Sequence, residues 1–150
     1  MKFQEYLEKT KEVACVEKGI LDQLRKIGEL KSLDLIQIRA AKSSLQVLIE
    51  NAIGKAKRIL KFHQCPMVFH KGRDAFWVLA ETGVIDESVQ SGMNQAIGFR
   101  NSMIHDYMNF DEETLIKIVV EGQYLQIYDF LIEPVEISDT VKNRISSFSY

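Results

Sequence analysis

Proline is almost absent from this chain, whose 150 residues include only Pro66 and Pro134. Proline breaks helices, and the long stretches between the two prolines are rich in residues that favour helix, such as Leu, Ile, Lys, Glu, Gln and Ala. The composition therefore predicts an all-helical domain and leaves a sheet protein as the less favoured alternative.

Cysteine and long apolar runs are scarce as well. The two cysteines, Cys15 and Cys65, come without a signal-peptide-like start, so we expect reduced thiols rather than a disulfide. No segment approaches the roughly 18 consecutive apolar residues that a transmembrane helix needs. A cytoplasmic location without membrane contact is therefore expected.

A strong net charge is also lacking, since 19 basic residues face 21 acidic ones and the sum is -2. A general attraction to nucleic acid cannot be inferred, and any RNA site must be local. The charges are nevertheless segregated. Residues 111–139 hold eight acids against Lys117 alone, whereas residues 55–73 hold six basic residues and no acid. The six basic residues are Lys55, Lys57, Arg58, Lys61, Lys71 and Arg73. We interpret them as a phosphate-facing edge, with a solvated helix face as the alternative.

Apolar residues that recur at intervals of three and four predict a bundle of about five helices. The first runs from Phe3 to about Ile27 with Gly28 as its stop, and the second from a cap at Ser32 to about Phe62.

The other three helices follow the break at Pro66, which ends the second helix. A short third helix covers Gly72 to Thr82 and stops at Gly83. The fourth starts after a cap at Asp86 and runs to about Asp106, and the fifth runs from a cap at Asp111 towards Pro134. Residues 1–150 are predicted to form one domain, with a C-terminal tail at about 135–150 whose end, residues 146–150, is frayed.

Several familiar chemical motifs are missing. The chain has no phosphate-binding glycine loop of either common spacing and no nucleophile elbow, which argues against a nucleotide-binding fold. His63, Cys65 and His70 are close in sequence, but no fourth zinc ligand accompanies them. We expect neither a metal nor another cofactor.

The most informative segment is the end of the fourth helix, which carries Arg100, Asn101, His105 and Tyr107. At about 100° per residue, Arg100 and Tyr107 fall on nearly the same side, with His105 about 140° from Arg100. An apolar stripe lies between them, so these polar groups are predicted to border a cleft. The alternative is an arginine and a tyrosine at the edge of the core, with a solvent-exposed histidine.

The segment Arg100-Asn101-Ser102-Met103-Ile104-His105-Asp106-Tyr107 matches the motif R-x4-H-x-Y of the HEPN ribonuclease superfamily. It resembles in particular HepT, the toxin family of HepT–MntA toxin–antitoxin pairs. Residues 44–53, 79–85, 98–101 and 109–111 are also similar to that family, so that the resemblance covers roughly residues 40 to 130.

The resemblance implies a HEPN-type bundle that forms a homodimer, in which two motifs face one cleft. It implies a metal-independent endoribonuclease that leaves 2',3'-cyclic phosphate ends, with Arg100 and His105 as catalytic residues and Asn101 in support. An arginine suits a phosphate that gains negative charge, and a histidine suits proton transfer from a ribose hydroxyl.

The resemblance also implies a partner, a MntA-like minimal nucleotidyltransferase antitoxin that attaches AMP to Tyr107 and so blocks the RNA phosphate. The alternative function is a non-catalytic helical module that binds substrate for a partner nucleotidyltransferase.

Overall fold

The structure is a computed structural model that describes residues 2–106 and 108–149, and every regular element in those residues is an α-helix. The all-α prediction is confirmed, but the helices described number seven rather than about five. Their bounds are α1 Phe3–Leu30, α2 Leu35–Phe62, α3 Gly72–Thr82, α4 Glu87–His105, α5 Glu112–Val120, α6 Tyr124–Ile132 and α7 Asp139–Ser146.

Helices α1 and α2 form a long antiparallel hairpin. The Phe3 and Phe62 rings stack with centroids 4.2 Å apart where the two ends of the hairpin meet. The predicted stop at Gly28 is wrong, because α1 continues to Leu30 and Gly28 serves instead to let Val120 of α5 approach its backbone.

The start of α2 is fixed by Asp34 rather than by Ser32, which is a second correction. The backbone N–H of Gln37 donates to Asp34 Oδ1 at 2.8 Å, and the backbone N–H of Asp34 donates to the Gln37 side chain at 2.9 Å. This reciprocal capping box satisfies two of the backbone donors that a helix start leaves open. Helix α2 is the central element, and its middle is almost entirely buried at Leu45, Leu48 and Ile49.

The boundaries of α3 and α4 are as predicted. Gly83 ends α3 in the left-handed conformation at φ +93°, which glycine adopts without steric cost. Asp86 caps α4 by accepting a hydrogen bond from the backbone N–H of Val89 at 2.9 Å. Helix α4 packs against α2, α3 and α6.

The predicted fifth helix is two helices, α5 and α6, because Gly122 takes up a positive φ of +71° between them. The guanidinium of Arg25 lies against this turn, 2.6 Å from where a side chain at residue 122 would begin. Arg25 Nε also donates to the carbonyl of Val120 at 3.1 Å and so satisfies a carbonyl at the end of α5. The glycine therefore breaks a segment that is apolar and periodic on both sides.

The predicted C-terminal tail contains a further helix, since residues 139–146 form α7. Ser138 caps it by accepting from the backbone N–H of Val141 at 3.2 Å, and Ile145 is fully buried. Phe148 packs edge-on against Trp77 of α3, with centroids 5.5 Å apart. This end of the chain therefore covers α3.

Neither cysteine is bridged, with Cys15 exposed and Cys65 half-buried. Within residues 2–106 and 108–149, no helix combines the length and the apolar character needed to cross a bilayer.

Candidate functional site

Near its end, α4 contacts the core through a different side chain from the one the sequence predicts. Met93, Ile97 and Met103 are buried, at 0%, 3% and 9% exposure, whereas Ile104 is 39% exposed and Met108, in the turn after α4, is 81% exposed. The predicted apolar stripe thus contacts the core at Met93 and Ile97 but not at Ile104 or Met108, and Met103 provides the core contact there instead. The motif residues lie at this end of the helix.

Arg100 and Asn101 are in direct contact. Arg100 Nη2 donates to Asn101 Oδ1 at 2.8 Å, and both residues are half-buried. Arg100 Nε is buried and finds no acceptor among the described residues. A buried donor without a partner is costly, so this guanidinium retains binding capacity that an added anion could use.

His105 is the last residue of α4, and it is exposed. Five residues of helix place it about 7.5 Å along the axis from Arg100. The structure therefore joins Arg100 to Asn101 and leaves His105 free to meet a molecule from solvent. Tyr107 lies outside the described residues.

Hydrogen bonds hold Asp106, Asn109 and Asp111 between α4 and α5. Asn109 Nδ2 donates to Asp106 Oδ1 at 3.1 Å. Asp111 caps α5 by accepting from the backbone N–H groups of Glu113 and Thr114 at 3.0 and 3.4 Å, and the Thr114 hydroxyl donates to its other oxygen at 2.7 Å. The hydrogen bond from Thr114 lowers the pKa of Asp111 below its usual value. Asp111 therefore acts as the predicted cap.

Lys42 is a cation near this turn that sequence reasoning did not identify. The ring of Phe110, inside the turn, packs edge-on against Phe99 of α4 at a centroid distance of 5.2 Å, and Lys42 Nζ lies 4.5 Å from the Phe110 centroid. Nothing in the sequence signals this position, because α2 and the turn are brought together only by the tertiary fold.

Of the predicted basic edge, Arg73 reaches α4. Its Nη2 donates to the carbonyl of Asn94 at 3.3 Å, and a side chain at Gly98 would begin 2.9 Å from the same nitrogen. Positions 94, 98, 101 and 105 are spaced at four, three and four residues, so they form one stripe along α4. Arg73 therefore lies on the stripe that carries Asn101 and His105.

Lys55 cannot contact RNA, which corrects its assignment to the basic edge. Lys55 is only 2% exposed. Its Nζ donates to the carbonyls of Phe130, Leu131 and Glu133 at 2.6, 3.3 and 2.9 Å. These carbonyls are at the C-terminal end of α6, where they have no partner within the helix, so the lysine caps that end. Burial lowers the pKa of Lys55 to about 8, against the opposing charge of Glu133.

The other four basic residues are at or near the surface. Lys57 Nζ lies 3.5 Å from the carbonyl of His70, and the Arg58 guanidinium lies 4.6 Å from the centroid of the Tyr6 ring. Lys61 and Lys71 are exposed. Among the described residues, no group of three or more His, Cys, Asp or Glu side chains is arranged to hold a metal ion.

The chain belongs to the Ribonuclease HepT-like family, whose model matches residues 3–134. The match includes all of α4 and the motif at its end, and it stops before α7. Comparison with curated proteins finds no match.

Solved structures of similar fold include two toxin–antitoxin complexes. One, a toxin–antitoxin with AMP-PNP, is 19% identical with a TM-score of 0.74, covering 87% of this chain and 99% of that one. The other is the tri-AMPylated Shewanella oneidensis HEPN toxin in complex with MNT antitoxin, 20% identical with a TM-score of 0.73, covering 87% and 97%. A third is the cytosolic protein of unknown function YutE from Bacillus subtilis, 16% identical with a TM-score of 0.63, covering 86% and 85%. At these identities the likeness is one of fold.

Proposed function

We propose that this protein is the toxin of a toxin–antitoxin pair and acts as a metal-independent endoribonuclease through Arg100 and His105. The observation that carries the proposal is the hydrogen bonding of the Arg100 guanidinium. It is held by Asn101 at 2.8 Å while its buried Nε has no acceptor among the described residues, on the same helix end as the exposed His105. Such an arrangement suits an anion bound beside a proton acceptor.

The chemistry follows from these two side chains. Neutral His105 takes the proton of a ribose 2'-OH, and the 2'-oxygen attacks the adjacent phosphorus. The bond to the 5'-oxygen of the next nucleotide breaks, which leaves a 2',3'-cyclic phosphate. Arg100 stabilises the negative charge that the phosphate gains on the way.

The departing 5'-oxygen needs a proton, and one chain supplies a single histidine at this site. We assign the acid to His105 of a second copy, so that two motifs face one cleft in a homodimer. The exposed Ile104 and Met108 flank His105 and support this pairing, because apolar side chains beside a motif are what a second subunit would cover.

The regulatory part of the proposal concerns Tyr107. A partner minimal nucleotidyltransferase transfers AMP from ATP to its hydroxyl. The tyrosine oxygen bonds to the α-phosphorus, pyrophosphate leaves, and the phenolic proton goes to solvent. The adduct places a phosphate beside Arg100 and competes with RNA. The AMPylated HEPN toxin of similar fold supports this step.

The test is expression of the protein alone, followed by assay of the purified protein. Wild type is expected to arrest growth and to cut RNA in the presence of EDTA, and the ends formed should be 2',3'-cyclic phosphates. Arg100→Ala and His105→Ala should each abolish both effects while they keep the wild-type circular dichroism spectrum. Lys26→Ala, an exposed change on α1, serves as the matched control.

A protein that binds RNA but cuts none in any condition would favour the alternative, a substrate-binding module for a partner nucleotidyltransferase. A strict requirement for a divalent ion would contradict the chemistry assigned to His105.

A further inference from the structure

A groove beside the motif has no role in the proposed cleavage step. Its volume is about 500 Å³, and it lies between α4 on one side and α5 and α6 on the other. Leu45 and Ile49 of α2 form its floor, and Phe99 and Ile118 belong to its walls. Its size falls within the range of roughly 300–1,000 Å³ typical of small-ligand sites.

The polar groups of the groove are neutral. Gln95, Ser102, Thr114, Gln123 and Gln126 line it, and the described lining residues include no charged side chain. An ionic ligand would therefore meet no charged side chain in this lining. A flat, neutral ligand with hydrogen-bonding edges fits this composition better.

Two of the glutamines differ in whether the fold holds their amides in place. Gln126 lies directly on the backbone of Gly92, in the space that a side chain at residue 92 would occupy, and its Nε2 reaches the carbonyl of Ser88 at 3.4 Å. Gln95 is exposed, and its amide makes no hydrogen bond within the described residues. One amide is thus positioned by the fold, and the other is available to a ligand.

The groove also has an aromatic end. Phe99 belongs to its lining, and Phe110 packs edge-on against that ring. Proteins that recognise single-stranded RNA stack unpaired bases on aromatic rings and read their edges with polar side chains, among which glutamine amides can bond a base at two points.

Ser102 connects the groove to the motif. It lines the groove and lies three residues before His105, so the two side chains share a face of α4 and are about 4.5 Å apart along the helix axis. A nucleotide whose ribose meets His105 can therefore reach the groove with its base. An apolar helix from a partner would fit less well, because it would leave the glutamine amides without partners.

We propose that this groove binds one base of the RNA substrate and so determines the sequence at which the chain is cut. This inference rests on the proposed ribonuclease function, which it extends from a reaction to a preference. Phe99 provides the stacking surface, and Gln95 contacts the edge of the base. Gln123 Nε2 already donates to Glu121 Oε2 at 2.9 Å, so Gln123 contributes its amide oxygen as an acceptor for the base.

The test is an abasic scan with a short RNA that contains a cleavage site of the wild-type protein. Binding is measured by fluorescence anisotropy in the His105→Ala background, so that the RNA stays intact. One abasic position is expected to lower affinity about tenfold, the size of a lost base–aromatic stack. In the Gln95→Ala/Gln123→Ala double variant the penalty at that position should shrink, whereas Gln90→Ala, on another flank of α4, should keep it.

Two results would overturn the inference alone: binding that is indifferent to every abasic position, or a penalty that persists unchanged in the double variant. Ala96→Phe, which fills the groove, adds a second arm. It should remove the same penalty and leave the oligomeric state unchanged in light scattering, and dissociation of a dimer would instead show that a second copy covers the groove. The absence of any RNA binding would overturn the proposed function together with this inference.

Discussion

The guanidinium of Arg73 bonds to the backbone of Asn94, with Nη2 at 3.3 Å from the carbonyl oxygen. This contact fixes a cation from α3 on the surface of α4. Gly98 makes the approach possible, since a side chain there would begin 2.9 Å from the same nitrogen. A glycine two positions before Arg100 therefore leaves room for a second arginine near the motif.

Arg73→Ala is expected to weaken RNA binding and to lower the slope of log K against log salt concentration by about one, as for the loss of one phosphate contact. Gly98→Ala should act in the same direction but more weakly, because it displaces Arg73 without removing its charge. Binding titrations at several salt concentrations measure both. An unchanged slope in Arg73→Ala would show that Arg73 is a solvated surface residue that does not contact RNA. Lys26→Ala controls for the loss of one positive charge elsewhere on the surface.

Asn101→Ala is expected to lower the rate of RNA cleavage about tenfold, which corresponds to one hydrogen bond to a charged group worth roughly 1.5 kcal/mol. The reason is the 2.8 Å contact that orients the Arg100 guanidinium. Because Asn101 is a positioning residue, the variant should keep its thermal stability and the shape of the wild-type pH profile. Single-turnover rates across pH measure this, with Ser91→Ala, an exposed change on α4, as control. A full wild-type rate would show that Arg100 needs no such support.

Lys55→Met is expected to lower the free energy of unfolding by about 2 kcal/mol or more at pH 7, because three carbonyls at the end of α6 lose a buried donor. Urea denaturation measures the change, and Lys61→Met, an exposed neighbour on the same helix, should change it little. If both variants lowered the free energy of unfolding by the same amount, the capping role of Lys55 would be contradicted.

The same residue predicts a pH dependence. The pKa of Lys55 is about 8 in the folded protein against 10.5 for an ordinary lysine. Between these two pKa values the unfolded chain binds more protons at this position than the folded chain. The contribution of Lys55 to the free energy of unfolding therefore rises with pH. The difference in unfolding free energy between wild type and Lys55→Met should therefore grow from pH 7 to pH 10. A difference that shrinks over this range would show that burial does not dominate at Lys55.

Tyr107→Phe removes only the proposed acceptor oxygen, and it is expected to leave the protein as toxic as wild type when expressed alone. Co-incubation with the partner nucleotidyltransferase and ATP should add AMP to the wild type and none to the variant, which should stay active. Intact-mass spectrometry measures the adduct. AMP found on Tyr107→Phe would place the acceptor elsewhere.

Local signals in the sequence identify the ends of several helices. Asp86, Asp111 and Gly83 each act through their own backbone or the next turn, and each lies where the sequence predicts it. The helix end at Gly122 cannot be recognised from the sequence in the same way, because the residues on both sides continue the apolar period across it. Its positive φ is supported by Arg25, almost a hundred residues away.

The candidate site divides in the same manner. The motif residues adjoin one another in sequence, so the contact of Arg100 with Asn101 lies within one helix and their placement on α4 is predictable. The burial of Lys55 depends on α6, the position of Lys42 on the turn at Phe110, and that of Arg73 on Gly98. Such pairings are set by tertiary packing, and a run of like charges does not show which of its members face solvent.

The core contacts of α4 are made by Met93, Ile97 and Met103, none of which takes part in the proposed reaction, so folding and the proposed cleavage depend on different side chains. Under the proposed function, a single change at the exposed His105 would disarm the protein and leave a stable chain able to pair with intact copies and to bind an antitoxin. In a cell that makes both forms, the disarmed chain would act as a decoy. Escape from such a toxin would then need neither deletion nor unfolding of the protein, only one substitution at the free end of one helix.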